Sequence, residues 1–87
     1  MKREVIKVQL DHMLQFGLAS STVTVDLGEE TSLLREVGLD SVQIIELIVA
    51  IEKNFNLPVF DDELNAGLFD RYGNLIDYIY QKINGQV

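Results

Sequence analysis

Apolar residues recur at helical spacing in three parts of the chain, separated by stretches that lack it. Near the start, Ile6, Leu10, Met13, Leu14 and Gly17 share one face and predict an amphipathic helix over residues 3–16. In the middle, Ile44, Leu47, Ile48, Ile51 and Phe55 line one side of a helix that Asn56-Leu57-Pro58 brings to an end. Towards the end, Tyr72, Leu75, Ile76, Ile79 and Ile83 predict a helix over 71–84, with Asp70 as its cap. Residues 61–67, acids first and glycine last, predict a short helix before it. The long connection over 17–40 contains Thr22-Val23-Thr24-Val25-Asp26-Leu27, which alternates like a strand but has no partner strand. It reads as an extended segment pressing Val23, Val25 and Leu27 onto helices, followed by a helical turn over 32–37. The pattern predicts an all-α fold: a small four-helix bundle of three main helices and one short one.

The middle helix carries more apolar surface than a core needs. Val42, Ile45 and Val49 form a second stripe beside the first, bordered by Glu46 and Glu52. Exposed apolar residues edged by acids predict a docking surface, against the bland alternative of a helix buried more deeply than usual. The helix opens at Gly38-Leu39-Asp40-Ser41-Val42. Asp40 is placed to cap it, and Gln43 three residues on completes a capping box. Ser41 then falls in the first turn, where free N–H groups and the helix dipole favour an anion. On these residues alone, an ordinary helix-start serine is the better reading.

Charge and composition narrow the chemistry. At 87 residues the chain reads as one domain, with the length for a modest core. It has no cysteine, so any thioester chemistry would require a prosthetic group to supply the sulfur. The net charge is −7, and the acids concentrate between Asp26 and Asp77. That field repels nucleic acid and anionic membrane and steers towards basic protein surfaces, although acidity also serves plain solubility. Lys7 and Asp11 interrupt any signal-peptide core, and no stretch reaches the length of a membrane span. A cytoplasmic monomer is expected. The one histidine, His12, falls off the apolar face and reads as a surface residue. Asp61, Asp62 and Glu63 lack the alternation of a calcium loop and read as helix-start acids, not metal ligands. No nucleophile–base set or Gly-rich phosphate loop is present, which disfavours an enzyme.

The run GLDSVQIIELIVAIEKNF resembles the acyl carrier protein family, in which Asp-Ser-Leu opens an acidic, apolar helix with Glu-Leu soon after. The matching positions are Asp40, Ser41, Val42, Glu46 and Leu47, and LREVGLDS and LIDYI extend the likeness along most of the chain. The resemblance implies a free-standing carrier, not a catalyst. It implies that Ser41, flanked by Asp40, takes 4′-phosphopantetheine from coenzyme A through a phosphopantetheinyl transferase. The arm's thiol would hold acyl or aminoacyl intermediates, and Val42, Ile45, Glu46, Val49 and Glu52 would meet acyl-loading and acyl-processing enzymes.

Departures from that pattern are informative. Val42 stands for the usual leucine, Gln43 for a common acid, and Lys53-Asn54 for further acids. These predict a specialised fatty acid- or polyketide-like pathway over a housekeeping one. Ile44, stiff and β-branched one turn past Ser41, predicts short or polar cargo held outside the bundle. The competing class is an acidic helical interaction module that docks on a partner and carries nothing.

Overall fold

A computed structural model of the chain describes residues 1–17, 27–58 and 66–85. Helix α1 spans Arg3–His12 and continues into a π-helical turn over Met13–Gly17. Helix α2 spans Ser41–Phe55, α3 spans Ala66–Asp70 and α4 spans Tyr72–Ile83. Among the described residues there is no strand, and the architecture is the expected three main helices plus a short one. The helical reading of 3–16 therefore holds, except that its last turn widens. The predicted segment at 22–26 lies outside the described residues; Leu27, its last residue, is buried.

The core forms where the apolar stripes meet. Ile6, Leu10 and Leu14 from the first helix, Leu47 and Ile51 from α2, and Leu75, Ile76 and Ile79 from α4 are buried together. Leu33 and Leu39 from the connection join them, and Leu68 and Phe69 close one end. Burying each such side chain stabilises the fold by about 1.5–3 kcal/mol before entropy is charged against it. Ile44, Ile48 and Phe55 are only half-buried at the edge of this core.

Two expectations near the C-terminal helix need correction. Described from Ala66, the short helix runs to Asp70, so Gly67 is inside it and not its stop; residues 61–65 of the predicted helix lie outside the described residues. Asp70 does not cap α4, whose cap position is Arg71, without a side-chain hydrogen bond. The opening N–H groups of α4 are satisfied by backbone instead: Tyr72 N donates to Thr31 O and Gly73 N to Glu29 O, both at 2.8 Å. Once those donors are taken, the Asp70 carboxylate turns to Arg35 Nε at 3.5 Å and accepts from Ser32 Oγ at 3.4 Å. Gly73 permits the approach, because a Cβ there would sit 3.2 Å from the Glu29 carbonyl oxygen.

One polar group penetrates the core. The Tyr72 ring is fully buried, and its hydroxyl donates to Asp11 Oδ1 at 2.7 Å. Asp11 also pairs with Lys7 at 3.0 Å, and the Lys7 ammonium lies over the Tyr72 ring. Burial, and then the hydrogen bond to Asp11, push the phenol's pKa up from its ordinary value. Tyr72→Phe should lower unfolding free energy by about 1–2 kcal/mol in a urea titration at neutral pH. The folded pKa is raised, so this contribution is present below about pH 10 and is lost as the unfolded phenol ionises above it. The gap between wild type and Tyr72→Phe should accordingly narrow above pH 10.

Candidate functional site

The start of α2 is held from both sides. On the chain side, residues 32–37 make one helical turn, with the Glu36 and Val37 N–H groups donating to Ser32 O at 3.0 and 3.1 Å. Leu33 N reaches across to Phe69 O and Leu39 N returns to Leu33 O, each at 3.0 Å. Gly38 makes the bend at φ 78, a left-handed conformation that a side chain would oppose. On the helix side the predicted capping box is complete. Gln43 N donates to Asp40 Oδ1 at 2.8 Å, and Asp40 N donates to Gln43 Oε1 at 3.1 Å.

Ser41 is the first residue of α2 and its side chain is exposed. The Asp40 carboxylate is committed to the Gln43 N–H, one residue past the serine's neighbour, and does not cover the hydroxyl. Among the described residues, the N–H groups of Ser41 and Val42 have no protein partner. A phosphate on the serine oxygen would meet those donors at the positive end of a 15-residue helix. The arrangement fits a bulky phosphodiester: the oxygen is accessible, and the anion has donors beside it.

The second stripe is exposed as expected. Val42, Ile45 and Val49 are 65, 60 and 41% exposed, on the side of α2 away from the buried Leu47 and Ile51. Glu46 and Glu52 are half-exposed and, at 100° per residue, bracket the stripe from either side. The sequence-predicted residues Asp40, Ser41, Val42, Ile45, Glu46, Val49 and Glu52 thus share one accessible side and one end of one helix. Gln43 is a residue whose burial periodicity did not indicate; its amide is drawn in by the capping box.

A second feature was not legible in the periodicity. A groove of about 560 Å³ runs between α2 and the π-helical turn. Met13, Phe16, Ile45, Val49 and Ala50 give it apolar walls, and Glu46, Lys53, Asn54 and His12 add polar groups. Phe16 is 71% exposed, and the His12 ring packs on it with centroids 5.0 Å apart. The only sequence signal was an aromatic residue off the apolar face of the first helix.

One family model and three relatives accord with this geometry. The family model described as "Phosphopantetheine attachment site" matches residues 17–79, most of the chain and all of α2. The chain is 34% identical over 77 residues to an acyl carrier protein of Guillardia theta, covering 88% of each. It is 30% identical over 86 residues to an acyl carrier protein of Cyanidium caldarium, covering 98% of this chain and 93% of the other. An acyl carrier protein of Akkermansia muciniphila is 32% identical over 71 residues, covering 82% and 80%. No helix among the described residues is long and apolar enough to cross a membrane.

Asp40→Ala removes the N-cap side-chain acceptor of the Gln43 N–H at the start of α2. It should cost about 1 kcal/mol of unfolding free energy. Amide exchange at residues 43–44 should speed up more than exchange at Ile76 or Ile79 in the core.

Proposed function

This chain belongs to the acyl carrier protein family, and from that premise we propose that Ser41 is its attachment residue for 4′-phosphopantetheine. Members of the family are carriers acted on by other enzymes, and the chain is a carrier and not a catalyst. The observation that carries the assignment is an exposed serine opening the 15-residue helix α2, inside the region the family model matches. The whole chain, residues 1–87, is taken as one carrier domain.

In the attachment step, Ser41 Oγ attacks the phosphorus of coenzyme A that bears pantetheine. A new P–O bond forms to the serine, the pyrophosphate P–O bond breaks, and adenosine 3′,5′-bisphosphate departs. The serine proton passes to a base of the transferase. The attached arm supplies the thiol that this cysteine-free chain lacks, on which cargo is held as a thioester. The chain's own residues then have two tasks. The α2 N-terminus steadies the phosphodiester through the Ser41 and Val42 N–H groups, and Asp40 and Gln43 keep that terminus formed.

Partner enzymes are proposed to dock on Val42, Ile45 and Val49 with basic groups reaching Glu46 and Glu52. A small apolar centre with a charged rim suits a carrier that must exchange partners quickly. The pathway is proposed to be a specialised fatty acid- or polyketide-like one. In support, α2 carries two acids after Ser41, and Lys53 breaks what would be a uniformly acidic helix. Short or polar cargo is supported by Ile44, half-buried at the edge of a core whose Leu47 has no accessible surface.

Incubation with coenzyme A, Mg²⁺ and a broad-specificity phosphopantetheinyl transferase should add one phosphopantetheine to wild-type protein, read by intact mass. Ser41→Ala should stay at its apo mass; modification of that variant, or none of the wild type with several transferases, would overturn the assignment. Glu46→Lys should slow modification roughly 3–10-fold at low ionic strength, with the difference shrinking as salt is added. Its unfolding free energy should change by less than about 0.5 kcal/mol, because the site is on the surface.

A further inference from the structure

We infer that the groove between α2 and the π-helical turn is the resting site of the chain's own phosphopantetheine arm, an inference that rests on attachment at Ser41. Three observations lead there. The first is position. Ile45, at the near end of the groove, is four residues from Ser41, so the groove begins one turn from the attachment oxygen. Along the axis, Val49 lies about 12 Å and Lys53 about 18 Å beyond Ser41. An extended pantetheine arm matches about five residues of extended chain, roughly 16–18 Å, and spans that distance.

The second is the character of the walls. Pantetheine alternates a geminal dimethyl group and methylenes with two amides. The groove alternates likewise: Met13, Phe16 and Val49 present apolar surface, while His12, Lys53 and Asn54 present donors. Asn54 spends one donor on Ala50 O at 2.8 Å, and Lys53 has no carboxylate partner among the described residues. Its ammonium is therefore open to an amide carbonyl or to the thioester oxygen. At about 560 Å³ the groove falls in the size range of sites for small organic ligands.

The third is the contrast with the inner face of α2. There Leu47, Ile51, Ile76 and Ile79 are between 0 and 2% exposed, and close packing leaves an arm no room without separating helices. The outer groove requires no such rearrangement. Its other wall is the π-helical turn, where Phe16 projects while Met13 and Leu14 stay buried.

The test uses holo protein made enzymatically, with loading first verified by mass. If no phosphopantetheine is added, the Ser41 assignment falls and this inference falls with it. In ¹³C-labelled holo protein with an unlabelled arm, nuclear Overhauser contacts should run from the arm's geminal methyls to the Phe16 ring and Val49 methyls. The arm's thiol is the only thiol in the molecule, so alkylation by iodoacetamide reports its shelter cleanly. It should react about threefold or more slowly than free phosphopantetheine, in proportion to the fraction out of the groove. Phe16→Asp, at an exposed position outside the proposed docking face, should restore the free rate while still being loaded. Contacts to Ile44, Ile48 or Ile79 instead, or an alkylation rate equal to that of free phosphopantetheine in the wild type, would overturn the inference.

Discussion

The fold depends on a short backbone seam between residues 29–33 and the corner where α3 meets α4. Three amides cross it: Leu33 to Phe69, Tyr72 to Thr31 and Gly73 to Glu29. Each satisfies a group that would otherwise be left unpaired at a buried helix end, which makes the seam expensive to break. The long connection is thereby anchored just before it reaches Gly38. Ser41 consequently stands at a fixed place relative to the core, although it is exposed and touches little itself. Arg3 reinforces the seam from outside, binding Glu29 at 2.8 Å and Asp77 at 2.7 Å and so tying α1 to both partners. The hydrogen bond from Arg3 holds the Glu29 carboxyl below its usual pKa. Its part of this tie is thus present above the ordinary glutamate range and lost as pH falls below it. Because these side chains are well exposed, the tie sets geometry more than it adds stability.

Helix α2 is then free to serve two masters. Leu47 and Ile51 hold it to the core, while Val42, Ile45 and Val49 stay in water. Burying a valine or isoleucine is worth about 1.5–3 kcal/mol, so three exposed ones on one helix forgo a sizeable part of a small domain's stability. The capping box offsets some of this by fixing the end of the helix that bears the serine. Stability is given up on the face that partners are proposed to meet and retained at the end that must present a modification.

Legibility in the sequence followed the range of the interactions involved. The capping box of Asp40 and Gln43 spans three residues, and the residue types alone announced it. The apolar stripes of α1, α2 and α4 were equally plain, since helical periodicity is a local property. The cap of α4 is not legible locally, because carbonyls of Glu29 and Thr31, some forty residues away, decide where that helix begins. Gly73 has a reason that helix propensity does not reveal: the Glu29 backbone is packed against it. The groove is less legible because it lies between two elements, α2 and the π-helical turn. Spacing marks only Phe16, off the apolar face, and not the element it approaches.

If the groove holds the resting arm, shelter and docking compete for the same surface. Ile45, Glu46 and Val49 line the groove and also belong to the face proposed for partners. A partner that covers Val49 would have to displace the arm, and in doing so would deliver the thiol to its own surface. Cargo would then be exposed mainly when an enzyme is present to receive it. The coupling needs no conformational change in the bundle, only mutual exclusion on one side of α2. Its cost is set by how tightly the groove holds the arm: every tenfold of retention takes about 1.4 kcal/mol from partner affinity. A carrier that must exchange partners quickly therefore requires a shallow groove with few strong contacts. An open, half-exposed apolar channel with a single uncommitted lysine has that character, and a deep pocket inside the bundle would not.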